Sequence, residues 1–136
     1  SANSLTGTIN GNGFAASTNK NSLTINAGFD NTWTINAKEQ GSVSTGMSGS
    51  FSDIQKIKGG VNDDTFNFGI DGAVDLVEGG DEIKGNTVGD IVNFISKTAG
   101  VDVTLGTILT ASSTDFNIDS IEQINAVQAH INPMFV

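Results

Sequence analysis

The amino-acid sequence predicts an all-β fold that winds as a short parallel β-helix, a solenoid with uneven corners. Seventeen glycines interrupt a chain of 136 residues, and Ile, Val, Thr and Phe alternate with polar residues between them. The apolar spacing of three and four residues that marks a helix is not sustained. Similar short segments also recur along the chain. An antiparallel β-sandwich is the alternative, although its two-residue hairpin signals are few.

A tripeptide of Ile, then Asn or Lys, then Gly or Ala recurs along the chain. It begins at Ile9, Ile25, Ile35, Ile57, Ile83 and Ile124. An apolar residue ends each short strand, a polar residue faces water, and a small residue opens a corner. The uneven spacing excludes a strict period and favours a solenoid whose corners differ in length.

A longer repeat places bulky residues at equivalent positions. Residues 57–68 align with residues 83–94 without gaps, and residues 25–35 align with both after one gap. Strand alternation then puts Trp33, Phe66 and Val92 on one inward face, where we expect them to stack.

Other short alternating segments are also predicted to be strands. They are Leu5–Ile9, Leu23–Ile25, Val74–Val77 and Val101–Leu105. The best helical candidate covers residues 120–129, with Asp119 or Ser120 as its cap, although the repeat makes Ile121–Ile124 strand-like instead.

The charge pattern excludes several classes of partner. The net charge is −9, and all six basic residues are Lys. A nucleic-acid partner needs a basic face, so none is expected. No apolar run is long enough for membrane insertion.

The chain has no Cys, which excludes a thiolate nucleophile and disulfides. Eight of the fifteen carboxylates fall within residues 63–90, an acidity that suits cation binding and solubility.

The segment GGVNDDTFN, residues 59–67, resembles the nonapeptide G-G-x-G-x-D-x-U-x of calcium-binding repeat-in-toxin proteins. Gly59, Gly60, Asp64 and Phe66 match that motif, and Asn62 stands where it has a third glycine. The resemblance implies a calcium ion with oxygen ligands at Gly59, Gly60, Asn62 and Asp64. The alternative for Asp63 and Asp64 is an Asx turn, in which the side chain bonds to backbone amides two residues on and closes the corner.

A broader resemblance covers residues 31–126. The segments NTWTINAKEQGSVS, FSDIQKIKGGVNDDTFNFGIDGAVDLVEGG, VTLGT and IDSIEQINA resemble the degenerate repeats of large bacterial surface exoproteins, filamentous-haemagglutinin-like and repeat-in-toxin-like adhesins. This implies a right-handed β-helix, secretion to the bacterial cell surface, and an adhesive or spacer role. We expect residues 1–136 to form one solenoid domain, an excerpt of a longer repeat protein. Expected partners are a host or cell-surface protein or glycan, neighbouring repeats, or a second copy.

The acidic residues also admit an enzymatic interpretation. Glu78, Asp81 and Glu82 could form a second cation site or the carboxylate pair of a polysaccharide-acting enzyme, or they could simply line a solvated loop. Such enzymes place Arg, Lys or His beside clustered aspartates, whereas this chain has no Arg and only His130. We therefore predict a non-enzymatic protein. A carbohydrate-binding module with Trp33 as its stacking platform is a further alternative, although the repeat places Trp33 in the core.

Overall fold

The computed structural model shows an all-β protein. It describes residues 7–11, 20–25, 28–44, 49–80, 89–98, 101–105, 111–113, 117–119, 121, 123–125 and 129–133, among which there is no helix. The strands are β1 (Thr8–Asn10), β2 (Ser22–Thr24), β3 (Thr32–Ala37), β4 (Gln40–Val43), β5 (Ser50–Ser52), β6 (Lys56–Lys58), β7 (Thr65–Phe68), β8 (Leu76–Glu78), β9 (Ile91–Asn93), β10 (Val101–Leu105), β11 (Ala111–Ser113), β12 (Asn117–Asp119), β13 (Gln123–Asn125) and β14 (Ala129–Pro133).

The strands form two seven-stranded sheets. The first sheet has the order β1-β5-β4-β3-β7-β9-β13, and the second has the order β14-β10-β11-β12-β8-β6-β2. Most neighbouring strands are parallel, as in β3-β7-β9-β13 and in β2-β6-β8-β12. Two antiparallel meanders interrupt this pattern, β3-β4-β5 in the first sheet and β10-β11-β12 in the second. The all-β prediction is therefore confirmed, and the sheets are mixed.

Apolar side chains stack in register across the parallel strands of the first sheet. Trp33 pairs with Phe66, Phe66 with Val92, and Val92 with Ile124. The rings of Trp33 and Phe66 are stacked, with centroids 5.8 Å apart and an interplanar angle of 19°. The prediction that Trp33, Phe66 and Val92 form one column is confirmed.

A second apolar column lies two residues further along the same strands. Ile35 pairs with Phe68, and the ring of Phe68 lies 5.2 Å from that of Phe94. From the other sheet, Ile57 and Val77 pair in register and belong to the same buried cluster. The core therefore lies between the two sheets and contains residues from both of them.

The structure departs from the sequence-based expectations at several places. The antiparallel pairs of the two meanders are not part of the predicted parallel β-helix, which stays a prediction. The helical candidate at residues 120–129 is wrong, because β13 lies within it and pairs with β9. The hairpin between β3 and β4 was not predicted, since its turn at Lys38 and Glu39 lacks an Asn-Gly or Asp-Gly pair. Glu39 adopts a φ of 58°, and its N–H donates to the carbonyl of Ala73 at 2.7 Å.

Candidate functional site

The corner between β6 and β7 brings together the four residues of the calcium prediction. Asp64 is fully buried there. Its Oδ2 accepts a hydrogen bond from the N–H of Gly60 at 2.6 Å, which closes the corner by a bond to a residue four positions earlier. A Cβ added to Gly59 would lie 2.2 Å from the same oxygen. Only glycine at position 59 therefore lets the carboxylate pack against the backbone.

The Asp64 carboxylate also links this corner to the residue that precedes strand β3. Its Oδ1 accepts a hydrogen bond from the N–H of Asn31 at 3.0 Å. The N–H of Asp64 in turn donates to Oδ1 of Asp90 at 2.7 Å. Asn31, Asp64 and Asp90 directly precede β3, β7 and β9, and all three are buried. They form a polar column, which we call the Asx column, beside the apolar columns of the core.

The environment of Asp64 shifts its titration. Burial raises the pKa of the Asp64 carboxyl above its ordinary value of 3.8, because the charged form loses water. Hydrogen bonds from Gly60 and Asn31 favour the carboxylate and oppose this rise, while the nearby Asp30 adds to it. The balance leaves a carboxyl group whose pKa remains raised in spite of two backbone donors.

These contacts bear on how a calcium ion would fit the corner. Calcium takes six to eight oxygen ligands. The carboxylate of Asp64 points to two amide donors, while Oδ1 of Asn62 is buried without a hydrogen-bond partner. Within the described residues no three His, Cys, Asp or Glu side chains gather in a group that could hold a metal. The contacts give Asp64 a structural role, but its amide partners belong to Gly60 and Asn31 and not to the residue two positions later that the predicted Asx turn requires. Calcium binding stays a prediction.

A second polar column lies at the opposite corner, where sequence reasoning assigned no role. The N–H of Asn21 donates to Oε1 of Gln55 at 2.9 Å, and Nε2 of Gln55 donates to Oε2 of Glu39 at 2.8 Å. The carbonyl of Gln55 accepts the N–H of Asp75 at 2.8 Å. Asn21, Gln55 and Asp75 directly precede β2, β6 and β8, and that shared position is the signal that could have identified them.

The outer face of the first sheet is an array of uncharged polar side chains, which we call the polar face. One row crosses all seven strands in register. It consists of Thr8, Ser50, Ser42, Thr34, Asn67, Asn93 and Asn125. Neighbours in this row bond to each other: Thr8 Oγ1 lies 3.2 Å from Ser50 Oγ, and Nδ2 of Asn93 donates to Oδ1 of Asn67 at 2.9 Å. Asn67 and Asn93 are thus stacked on adjacent strands.

The outward strand positions of the two sheets differ in charge. On the first sheet, these positions carry Ser, Thr, Asn, Gln and one Ile, with no ionisable side chain on the described strands. On the second sheet, Lys56, Lys58 and Glu78 point outward, and Lys58 Nζ lies 3.4 Å from Glu78 Oε2. The charge is therefore segregated away from the polar face.

The remaining candidates that the structure describes, Glu78, His130 and Trp33, lie on three different strands. Glu78 is half-buried and pairs with Lys58, whereas Asp81 and Glu82 lie outside the described residues. His130 lies on β14, which pairs with β10. Trp33 is 0% exposed, so it is a core residue as the repeat predicts and offers no stacking surface for a sugar.

Comparison with family models, with curated proteins and with solved structures gives no match for this chain. The fold defines its class as an all-β protein of two mixed sheets. In the part of the chain that the structure describes, no helix has the length and apolar character needed to cross a membrane.

Proposed function

We propose that this chain is a non-enzymatic β-solenoid segment of a secreted bacterial surface protein, serving as an adhesin or a structural spacer. The observation that carries the proposal is the register of its columns. Trp33, Phe66, Val92 and Ile124 occupy equivalent positions on successive parallel strands, although the chain visits the other sheet between them. A chain that returns each time to the next rung of the same sheet follows a solenoid path.

The order of the strands supports the same path. The chain runs from β1 to β2, through the first meander to β6, and then alternates between the sheets through β7, β8 and β9. It passes through the second meander to β13 and β14. In both sheets the spatial order of these rungs follows the chain order. The meanders are local widenings of a right-handed solenoid, which accounts for the uneven spacing of the sequence repeat.

The buried polar groups support a structural role. The carboxylates of Asp64 and Asp90 accept backbone N–H groups from the preceding rung, and Gln55 links Asn21 to Glu39. Each of these side chains satisfies backbone or side-chain donors that a corner would otherwise bury unpaired. The polar groups are therefore used to hold rungs together, which is what a rigid spacer requires.

The proposal predicts that the protein lies on the outer surface of the cell, and this location can be tested. Antibodies raised against the purified chain should label intact cells of the organism that encodes it, and brief protease treatment of those cells should remove the signal. An antibody against a cytosolic protein provides the control for intact envelopes. Labelling that appears only after permeabilisation would overturn the surface assignment.

Calcium at the corner of residues 59–64 is a separable part of the proposal. The four residues implied by the resemblance share one corner, and Asn62 Oδ1 has no partner there. If calcium binds, millimolar calcium should raise the melting temperature relative to EDTA, and Asp64→Asn should remove that difference. Identical melting curves in calcium and in EDTA would show that calcium does not bind and would leave the corner-closing role of Asp64.

A further inference from the structure

We propose that the polar face of the first sheet binds a neutral polysaccharide. The inference rests on the proposed function, since an adhesin segment meets glycans at cell surfaces, and it names the class of ligand and the face that takes it. Its basis is the row of uncharged hydrogen-bonding side chains that crosses all seven strands.

The chemistry of the row suits sugar hydroxyls. Ser and Thr hydroxyls both donate and accept, and each Asn amide presents two donors and an acceptor. Thr34 is exposed and Asn67 is half-buried, so their polar atoms lie at the surface of the sheet. Neutral sugars present the same mixture of donors and acceptors without formal charge. Direct and water-mediated hydrogen bonds are therefore available along the whole row.

The geometry of the row suits a polymer better than a single sugar. Equivalent side chains on adjacent strands are spaced by about 4.8 Å, and the row has one member on each of seven strands. A linear polymer with recurring hydroxyl groups can contact several rungs at once. Each contact is weak, so affinity should rise with chain length through multivalency. Because Trp33 lies buried beneath this face, single sugars lack an aromatic platform and should bind poorly.

The charge distribution selects a neutral polymer over an anionic one. The chain carries a net charge of −9, and the outward positions of the first sheet contribute no ionisable group among the described strands. The surrounding carboxylates repel polyanions within a Debye length of about 8–10 Å. The polar face offers no cation to offset that repulsion. Alginate, heparin and nucleic acids are therefore disfavoured, and cationic polymers find no counter-charge on the face itself.

The test measures binding to glycans with matched surface variants. The purified chain is assayed against cellulose, dextran and mannan as neutral probes and against alginate and heparin as anionic probes. We expect binding to at least one neutral polymer and negligible binding to the anionic ones. Thr34→Glu and Ser50→Asp place a charge in the row and should each weaken binding about tenfold, through lost hydrogen bonds and desolvation. Thr24→Glu places the same charge on the outward face of the second sheet and should change nothing.

Each variant is first checked for folding by thermal melting. Two row variants are used so that the test still works if one of them does not fold. No neutral binding, preferential anionic binding, or binding unaffected by both row variants would overturn the inference. A dimer in sedimentation velocity that both row variants dissociate would also overturn it, because the face would then join two copies. Surface labelling of cells is an independent readout, so a positive labelling result with no glycan binding rejects this inference and leaves the proposed function standing.

Discussion

Replacing Phe66 by alanine should destabilise the protein more than most single substitutions. Phe66 is 0% exposed, its ring stacks on Trp33 at 5.8 Å, and it pairs in register with Val92 on the other side. Truncating a buried Phe to Ala costs about 3–5 kcal/mol, and a stacked aromatic pair contributes roughly 0.5–1.5 kcal/mol beyond its buried area. We expect the loss of unfolding free energy to fall in the upper half of this range, about 4–5 kcal/mol. The cavity would open between Trp33 and Val92, which lie on the two strands that flank β7 and cannot move together to fill it.

Urea denaturation followed by tryptophan fluorescence measures this loss directly. Trp33 is the only tryptophan, and it lies against the substituted ring. Phe29→Ala is the matched control, because Phe29 is 62% exposed and its removal should change the unfolding free energy by no more than about 0.5 kcal/mol. A loss below about 1.5 kcal/mol for Phe66→Ala, or an equal loss for both variants, would refute the stacked column.

Three further predictions concern the corners. Gly80→Ala should cost about 1–3 kcal/mol in urea denaturation, because Gly80 has a φ of 128° and an added Cβ would lie 2.0 Å from the Gly60 carbonyl oxygen. Gly28→Ala, with open space around its Cβ, should be neutral, and equal effects would contradict the packing of the corner. Asp64→Asn should cost about 1–3 kcal/mol at neutral pH, since an amide turns one N–H toward a backbone donor; an unchanged denaturation midpoint would contradict the two hydrogen bonds. Because the folded-state pKa of Asp64 is raised, the stability it contributes is fully present below its unfolded pKa and is lost as pH rises through the folded value. On acidification from neutral pH, wild type should therefore gain stability relative to Asp64→Asn, whereas a difference that stays constant or shrinks would contradict the raised pKa.

The apolar columns were predictable because strand alternation and the sequence repeat are local signals. The segments around Trp33, Phe66 and Val92 each alternate apolar and polar residues, and their alignment alone fixes which positions share a rung. The asparagine contact between Asn67 and Asn93 follows from the same alignment. Register between parallel strands is thus encoded wherever the repeat is continuous.

Other features depend on contacts between residues far apart in sequence. The hairpin at Glu39 is stabilised by hydrogen bonds to Ala73 and Gln55, which lie later in the chain. No local turn motif in the sequence therefore predicts it. The segment around Ile124 has local helical propensity, but pairing with β9 makes it a strand. The link from Asp64 to the strand before it in the sheet depends on a hydrogen bond from the amide of Asn31, 33 residues earlier. Only the bond from Gly60 to Asp64 is local in sequence.

Disulfide trapping between engineered cysteines tests the order of the rungs most directly, because the chain has no cysteine of its own. Asn67 pairs in register with Asn93, and Asn93 with Asn125. Cα atoms on adjacent strands lie within the usual disulfide range of about 4.4–6.8 Å, whereas those two strands apart lie roughly twice the strand spacing apart. Under mild oxidation, the pair Asn67→Cys with Asn93→Cys and the pair Asn93→Cys with Asn125→Cys should cross-link efficiently, and the pair Asn67→Cys with Asn125→Cys should not. Efficient cross-linking of that last pair, or failure of both adjacent pairs in folded protein, would contradict the stacked-rung account.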